Sequence, residues 1–407
     1  MKDSPKISER GRTVQASPIR KLEPFEKDAI KRGIQLYHLN IGQPDIKTPP
    51  QFFDALRQFS DPVLAYGFSR GAPAYIESVM SYYHRVGLKQ IEEKDILITM
   101  GGSEALLFAM MAVTSPGDEI IVFEPFYTNY NGFANMAGIK LIPVQTSAEN
   151  GYRLPDDTVI EEKISNKTRA ILVTSPNNPT GAVLNEDEVR RLENIILKRN
   201  LFLLSDEVYR EFCYEVSHIS FMSRPEIANH VIMTDSISKR FSACGARLGC
   251  LVSKNSDVMN TVLKYGQARL CPATLEQAVF VGLATIADQY FIDIKEEYKK
   301  RRDLVYEALM DMPDTFCRKP QGAFYMMASF PVEDIEDFCK WLLTDFEMNG
   351  STIMIAPGPG FYVTKGRGQN EARIAYVLNC EDLKKAMAIL KQGLITYRDL
   401  NSNRNKK

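Results

Sequence analysis

Four short segments of this 407-residue chain, each rich in glycine or polar residues, contain the side chains best suited to catalysis. Each follows a run of apolar residues, and the four are Gly101-Gly102-Ser103, Ser175-Pro176-Asn177-Asn178-Pro179-Thr180-Gly181, Asp206-Glu207-Val208-Tyr209 and Ser236-Ile237-Ser238-Lys239. In an open parallel sheet, ligands bind in the crevice beyond the carboxyl ends of the strands. If the apolar runs are parallel strands, the four segments meet in one crevice.

The first and third segments indicate a binding site for charged groups. Residues 101–103 open a predicted helix, so their backbone N–H groups and the helix dipole could hold a phosphate. A glycine-rich capping turn is the structural alternative. Asp206 lies at a buried strand end and needs a cationic or protonated partner, because an unpaired buried carboxylate is very costly. A structural salt bridge would meet the same need.

The fourth segment contains a lysine whose neighbours suit an amine nucleophile. Lys239 lies beside the hydroxyls of Ser236 and Ser238, and Arg247 follows eight residues later. A lysine near an arginine and a phosphate site can have its protonation tuned so that it forms a Schiff base, although a surface lysine is commoner. The indication comes from the combination: a phosphate-binding turn, an acid, a lysine and an arginine on successive strands.

The elements that must position these side chains follow from hydrophobic periodicity. Longer helical stretches separate short apolar runs at 95–100, 119–123, 140–145, 169–174, 202–205, 231–234 and 248–253. The runs within 170–173 and 201–204 are continuously apolar, as in strands that are buried on both faces. This pattern predicts an α/β fold with a mostly parallel sheet and helices on both sides.

The chain divides into a larger and a smaller predicted domain. We expect one long helix over 275–312 to lead from the sheet into a smaller α+β domain. The predicted divisions are an N-terminal arm with part of the small domain at 1–46, a large domain at 47–285 and the rest of the small domain at 286–407.

Composition limits the classes of function. The chain has 50 Lys+Arg against 51 Asp+Glu, a net charge of −1, which argues against nucleic acid or an anionic membrane as the main partner. No apolar run approaches the ~18 residues that cross a bilayer, and no secretory-type segment is present, so we expect a cytoplasmic protein. Four histidines without HExxH spacing predict no dedicated metal site.

Together these motifs resemble those of the fold-type I pyridoxal 5′-phosphate enzymes, and specifically the class I aminotransferases typified by aspartate aminotransferase. The resemblance extends from about residue 17 to residue 391 and depends on Ser-Pro-Asn-Asn-Pro-Thr-Gly, Ser-Asp-Glu-Val-Tyr and Ser-x-Ser-Lys-x-Phe-x-x-x-Gly-x-Arg-x-Gly. It implies pyridoxal 5′-phosphate as cofactor, a seven-stranded, mostly parallel sheet sandwiched by helices, a smaller α+β domain and a homodimer with shared active sites.

The resemblance also assigns roles to single residues. Lys239 would bond covalently to the cofactor and move a proton at the substrate Cα, and Asp206 would pair with the protonated pyridine nitrogen. Asn178 and Tyr209 match residues that hydrogen-bond O3′ of the ring. Tyr127 falls where the family stacks an aromatic side chain on the ring, but aspartate aminotransferases usually have tryptophan there, which leaves substrate specificity open.

The phosphate and the substrate have their own implied ligands. The phosphate would be bound by Gly102, Ser103, Ser236, Ser238 and Arg247. Tyr66 matches a tyrosine that reaches the phosphate of the neighbouring subunit, which would make a homodimer obligatory. Arg373 matches the arginine that binds the substrate α-carboxylate. Asn178 and Gly42 would complete that pocket, and Phe324 would line it.

The implied reaction is a ping-pong transfer of the amino group of an L-amino acid, aspartate by preference, to a 2-oxo acid such as 2-oxoglutarate. Arg269 and Arg20 are candidates for binding the side-chain carboxylate. An aromatic or prephenate-type substrate, and a carbon–sulfur β-lyase reaction with the same cofactor, are the alternatives. A cofactor-binding regulator is disfavoured by the neutral charge, and a nucleotide-binding protein by the lack of GxGxxG and GxxxxGK[ST] motifs.

Overall fold

The computed structural model describes residues 5–15, 17, 18 and 20–404. The strands are β1 (Gln35–His38), β2 (Ile96–Thr99), β3 (Glu119–Glu124), β4 (Lys140–Gln145), β5 (Thr168–Thr174), β6 (Phe202–Asp206), β7 (Val231–Ser236), β8 (Gly249–Val252), β9 (Phe316–Cys317), β10 (Tyr325–Ser329), β11 (Ser351–Met354), β12 (Ala356–Pro357) and β13 (Glu371–Ala375). The α-helices are α1 (Glu9–Thr13), α2 (Glu23–Lys31), α3 (Pro50–Gln58), α4 (Pro73–Arg85), α5 (Gly102–Val113), α6 (Asn129–Ala137), α7 (Asp157–Glu161), α8 (Glu186–Arg199), α9 (Ile237–Arg240), α10 (Ser256–Arg269), α11 (Thr274–Phe280), α12 (Asp288–Met310), α13 (Ile335–Thr344) and α14 (Cys380–Arg404). None of the helices within these ranges is long and apolar enough to cross a membrane.

The large sheet has seven strands in the order β2-β8-β7-β6-β5-β3-β4. All of its neighbouring pairs are parallel except those of β8, which runs antiparallel to both β2 and β7. The predicted fold class is therefore confirmed. Because β2, β5, β6 and β7 run in the same direction, the four polar segments leave the sheet at one edge.

The antiparallel direction of β8 explains how Arg247 reaches the same edge. Gly249, the first residue of β8, is paired with Ser236 at the carboxyl end of β7 and with Thr99 at the carboxyl end of β2. Arg247 is two residues before Gly249 and therefore lies beside the segments that follow β2 and β7. The lysine segment, the glycine turn and the arginine are brought together by backbone pairing alone.

The continuous hydrophobicity of the central strands follows from burial on both faces. Ile171 and Val173 of β5 belong to the core formed with α4 and α8, whereas Ala170 and Leu172 belong to the core formed with α5, α6 and α10. Successive residues of a strand point to opposite faces, so a strand between two helical layers needs an apolar residue at every position.

The smaller structural unit joins the C-terminal third of the chain to a segment near the N-terminus. Its sheet has the order β12-β13-β10-β9, and β1 pairs in parallel with β11. Helices α12, α13 and α14 contribute to the core that covers these strands. The pairing of β1 with β11 ties residues 35–38 to residues 351–354, and the proposed division of the chain at 46/47 and 285/286 stays a prediction.

The single helix predicted over 275–312 is wrong, because the structure contains a break in it. Helix α11 ends at Phe280, a 3₁₀ turn spans Val281–Thr285, and α12 begins at Asp288. Within the turn, Gly282 lowers helix propensity and its carbonyl accepts a hydrogen bond of 2.8 Å from the Thr285 hydroxyl. Extended backbone at Ile286 then buries that side chain in the core. The periodicity of apolar residues did not reveal these local features, which interrupt the helix.

Candidate active site

A cavity of about 290 Å³ opens where the four polar segments meet. It is lined by all but two of the residues that the resemblance assigned to the cofactor, to catalysis or to the substrate α-carboxylate pocket: Gly42, Gly102, Ser103, Tyr127, Asn178, Asp206, Tyr209, Ser236, Ser238, Lys239, Arg247 and Arg373. The two exceptions are Tyr66 and Phe324. Lys239 and Asp206, on which the hypothesis depends most, therefore share one cavity.

The glycine turn and Arg247 form a place suited to a phosphate. Gly101 precedes α5 with a φ of +77°, and the first N–H groups of a helix have no partner within it. The Arg247 guanidinium lies so close to Gly101 that a Cβ there would be 2.3 Å from its Nη2. Only glycine permits this approach of an arginine to free N–H groups, which together match a dianion.

Two serine hydroxyls complete this phosphate cup, which we define as the backbone of Gly102 and Ser103 with Ser236, Ser238 and Arg247. The Ser236 hydroxyl donates a hydrogen bond of 2.8 Å to the carbonyl of Leu248 and lies 2.8 Å from the Ser238 hydroxyl. Since the proton of Ser236 goes to Leu248, the contact between the two serines is a hydrogen bond that Ser238 donates, and Ser238 can turn that proton toward an anion instead.

The lysine lies on a short helical turn directly after β7. Ser236 caps this turn by accepting a hydrogen bond from the Ser238 N–H. Nζ of Lys239 donates a hydrogen bond of 2.7 Å to the carbonyl of Gly42 and lies 3.8 Å from the Cys244 sulfur. The amine is thus directed into the cavity by a backbone acceptor and has no carboxylate partner among the described residues.

Asp206 lies in the cavity wall at the end of β6 and is only 6% exposed. Its Oδ2 accepts a hydrogen bond of 2.7 Å from the Tyr130 hydroxyl. Burial raises the pKa of this carboxyl to about 6, and the hydrogen bond from Tyr130 opposes that rise. No lysine or arginine of the described chain forms an ion pair with it, which leaves room for a cationic ligand group.

Arg373 lies on β13 and is 2% exposed. Its Nη1 donates a hydrogen bond of 2.9 Å to Oδ1 of Asn178, and its Nη2 donates to the carbonyl of Asn40. Its Nε is buried with no acceptor among the described residues. Burial lowers the pKa of this guanidinium below its ordinary value. A buried arginine with an unused donor is suited to a carboxylate ligand.

A pair of tyrosines connects the cofactor side of the cavity with Gly42. The hydroxyls of Tyr209 and Tyr325 are 2.8 Å apart. Burial raises the pKa of Tyr209 well above its ordinary value, so this phenol stays protonated. A Cβ on Gly42 would lie 1.6 Å from the Tyr325 hydroxyl, so glycine is required there by the tyrosine that faces it.

Tyr127 lines the cavity from the loop just before α6. Its hydroxyl accepts a hydrogen bond of 2.8 Å from the Asn129 amide, and its ring packs edge-to-face on Tyr130 at 5.5 Å. Burial raises the pKa of the Tyr127 phenol to about 12. The ring is therefore neutral and fixed in place, and its stacking on a cofactor ring stays a prediction.

Phe324 does not line the pocket as expected, and this expectation is corrected. Its side chain is fully buried and packs on Phe212 at 5.1 Å and on Tyr298 at 5.2 Å, in the core of the smaller unit. The next residue, Tyr325, lines the cavity instead. Phe324 lies in the turn before β10 and Tyr325 is the first residue of that strand, and the sequence motif did not reveal which of the two aromatic side chains faces the cavity.

The two arginines proposed to bind a substrate side chain occupy different places. Arg269 is outside the cavity: it lies 3.4 Å from the Glu104 carboxylate and donates hydrogen bonds to the carbonyls of Ser69 and Ile98. Arg20 lines the cavity and forms no ion pair with any described carboxylate. The structure therefore disfavours Arg269 and keeps Arg20 as the candidate.

Sequence reasoning missed Tyr130 and Tyr325, although weak signals for both were present. Tyr130 follows Tyr127 by three residues, and a second tyrosine so close to a predicted ring-stacking residue is a candidate for the same site. Tyr325 directly follows Phe324, so the sequence offered two neighbouring aromatic residues as candidates for the pocket wall. Neither signal identifies a partner, because Asp206 and Tyr209 lie far away in sequence.

Comparison with known proteins identifies the family of this chain. The family described as aminotransferase class I and II matches residues 34–390. An aspartate aminotransferase of Pyrococcus horikoshii is 30% identical over 396 residues, which cover 95% of this chain and 97% of that protein. A probable aspartate/prephenate aminotransferase of Thermus aquaticus is 28% identical over 95% of this chain and 99% of its own length. Among solved structures, an aspartate aminotransferase mutant of Thermus thermophilus superposes with a TM-score of 0.87 at 26% identity, covering 96% of this chain and all of that one.

Proposed function

The chain belongs to the class I and II aminotransferases, and we propose that it uses pyridoxal 5′-phosphate to move the amino group of a dicarboxylic L-amino acid, preferably aspartate, to a 2-oxo acid such as 2-oxoglutarate. The observation that carries the proposal is the sharing of one cavity by Lys239, Asp206, the phosphate cup and Arg373. Each of these groups matches a different part of a cofactor–substrate pair.

The residues around the cavity fit the cofactor chemically. The phosphate cup offers free N–H groups, a hydroxyl and a guanidinium to a dianion, and the cup depends on the absent Cβ at Gly101. Asp206 is a buried carboxylate without a cation, and a protonated pyridine nitrogen would lower its raised pKa. When bound, pyridoxal phosphate supplies an aldehyde that takes the amino group and a ring that accepts the electrons released at the substrate Cα.

The protein side chains divide the remaining work among them. Lys239 binds the aldehyde and moves a proton at the substrate Cα, and the Gly42 carbonyl directs its amine. Tyr209 donates to the ring oxygen. Asn178 orients Arg373 through the bond between Oδ1 and Nη1. Arg373 binds the α-carboxylate shared by amino acid and 2-oxo acid, so both substrates of a ping-pong reaction use one site.

The preference for a dicarboxylic substrate is supported by Arg20. This cation lines the same cavity as Arg373 and has no carboxylate partner among the described residues. A second carboxylate on the substrate would provide that partner. Ile41 and Leu106 also line the cavity, and these apolar side chains favour an aromatic or prephenate-type amino acid as the second candidate substrate.

We further propose that the enzyme is a cytoplasmic homodimer. Residues 63–68 expose four apolar or aromatic side chains, Val63 (71%), Leu64 (64%), Tyr66 (82%) and Phe68 (69%). Several exposed apolar side chains so close together in sequence indicate a protein interface, and a second copy of the chain would bring Tyr66 to the neighbouring phosphate cup. All seven cysteines are unpaired thiols, which suits a reducing compartment.

The experiment that tests the function combines covalent trapping with a half-reaction. Purified protein is mixed with pyridoxal 5′-phosphate and treated with borohydride, and peptide mass mapping should find the cofactor on Lys239. Protein that carries pyridoxal 5′-phosphate but has not been reduced, when mixed with aspartate alone, should release one equivalent of oxaloacetate per site. Further turnover should then require a 2-oxo acid. Release of pyruvate and ammonia from cysteine conjugates without an acceptor would indicate a β-lyase instead.

A further inference from the structure

Tyr325 occupies a position that none of the assigned roles uses. It is the first residue of β10, is 2% exposed and lines the cavity. The backbone of β10 pairs with that of β13, where Tyr325 is opposite Ala375 and Arg373 is opposite Met327. The side chains of Tyr325 and Arg373 are therefore held by the same pair of strands in the centre of the small sheet.

The hydroxyl of Tyr325 contacts Tyr209, which is proposed to donate to the cofactor ring. The two phenol oxygens are 2.8 Å apart, and a phenol has one proton to give. When Tyr325 donates to Tyr209, the proton of Tyr209 is left for a different acceptor in the cavity. The same hydroxyl packs on Gly42, whose carbonyl accepts from Lys239, so it also fixes the backbone that directs the amine.

The ring of Tyr325 contacts Arg373. The guanidinium carbon lies 4.4 Å from the centre of the Tyr325 ring and 5.1 Å from that of Phe361. Hydrogen bonds hold only the two terminal nitrogens of Arg373, whereas Nε is free. In a buried site, attraction between the cation and the ring faces is strong enough to fix the plane of the guanidinium.

We propose that Tyr325 is a positioning residue with two separable functions. Its hydroxyl orients the proton of Tyr209 toward the cofactor ring oxygen, and its ring orients Arg373 for the substrate carboxylate. The inference rests on the proposed function. It adds that the cofactor-side and substrate-side ligands are set by one residue of the smaller unit.

The two functions are tested with variants that remove either the hydroxyl alone or the whole ring. In Tyr325→Phe, the pH at which the visible absorbance of bound pyridoxal phosphate titrates should rise by about one unit, because a hydrogen bond to the ring oxygen is weakened. The dissociation constant of succinate, a dicarboxylate inhibitor, should stay within about twofold. In Tyr325→Met, the same absorbance shift should be joined by about tenfold weaker succinate binding.

Tyr214→Phe is the matched control. Tyr214 is a buried tyrosine whose hydroxyl donates to the carbonyl of Ala323, away from the cavity, so its loss should change neither readout. Tyr325→Leu replaces the methionine variant if that variant does not fold. An unshifted titration in Tyr325→Phe would overturn the proposed role of the hydroxyl. Unchanged succinate binding in Tyr325→Met or Tyr325→Leu would overturn the proposed role of the ring. A wild-type protein that binds no pyridoxal phosphate would instead refute the proposed function.

Discussion

The hydroxyl of Tyr130 donates a hydrogen bond of 2.7 Å to Oδ2 of Asp206, and both side chains are almost completely buried. Tyr130 belongs to α6 and Asp206 ends β6, so the bond fixes the acid from the helical layer. The same hydroxyl also contacts that of Thr174. Burial raises the pKa of Asp206 to about 6, and Tyr130 keeps it from rising further. The acid is ionised near neutral pH but close to protonation.

Tyr130→Phe should therefore shift the pH dependence of cofactor binding. Without the donor, the pKa of Asp206 rises and the carboxylate is lost at a higher pH. We expect the acid limb of pyridoxal phosphate affinity to move upward by about one pH unit. The measurement is the dissociation constant as a function of pH. Tyr265→Phe, which removes a bond to the Met111 carbonyl outside the cavity, is the control. Superimposable acid limbs for wild type and Tyr130→Phe would contradict the assignment.

Asp206→Asn should raise the stability of the cofactor-free protein at pH 8 while it lowers activity. The folded-state pKa of Asp206 is about 6, above the ordinary value of 3.8 for a free aspartate side chain. Between these values the folded state binds more protons, so stability is highest at low pH and falls as pH rises to about 6. The loss is at most about 3 kcal/mol. Cofactor-free Asp206→Asn should lack this dependence and should unfold at higher urea than wild type at pH 8.

The same variant should have a kcat about 10²–10³-fold lower, because a neutral amide cannot keep the pyridine nitrogen protonated. Urea unfolding of the cofactor-free protein at pH 5 and pH 8, together with kcat, checks both effects. A variant that is less stable than wild type at pH 8 would show that the ionised carboxylate of Asp206 does not destabilise the folded protein.

The sheet and the polar segments could be predicted because both depend on short stretches of sequence. The run Ala170-Ile171-Leu172-Val173 is short, continuously apolar and rich in branched residues, which favours a strand that is buried on both faces. The arginine at position 247 and the lysine at 239 were placed by motif spacing. Tyr325 and Arg20 were not resolved in this way, since strand facing and the path of the N-terminal segment are decided by tertiary packing. The break at Gly282 was missed because local hydrogen bonding overrode a helical pattern.

Arg373→Lys should weaken substrate binding far more than it weakens cofactor binding. Lysine keeps the charge but loses the planar fork and the stacking on Tyr325. The loss of charge-assisted bonds costs about 1.5–3 kcal/mol, so KM for both amino acid and 2-oxo acid should rise about 10-fold to 150-fold. Arg318→Lys, at an exposed arginine that bonds the backbone of 148–149, is the control. Equal KM values for wild type and Arg373→Lys would exclude this residue as the carboxylate ligand.

Arg20→Gln should change the choice of substrate. If Arg20 binds a second carboxylate, kcat/KM for aspartate should fall about tenfold, with alanine and phenylalanine little affected. Arg269→Gln is the matched comparison, since Arg269 is paired with Glu104 outside the cavity. It should leave the ratio of aspartate to alanine activity unchanged. A changed ratio in Arg269→Gln with an unchanged one in Arg20→Gln would reverse the assignment.

Gly42→Ala should show that the glycine is required by packing. A Cβ at this position would lie 1.6 Å from the Tyr325 hydroxyl oxygen and 2.4 Å from the ring carbon that bears it, so the ring must move. Overpacking of a buried site costs about 1–3 kcal/mol of unfolding free energy, and the displaced Tyr325 should also weaken succinate binding. Gly132→Ala is the control, because nothing lies within 4 Å of its added Cβ.

Gly42→Ala with Tyr325→Phe should recover part of the lost stability, since the nearest overlapping atom is removed while the ring carbon still overlaps. Urea unfolding of the four proteins measures this, and a Gly42→Ala variant as stable as wild type would show that Tyr325 does not hold the position that joins Lys239 to Arg373.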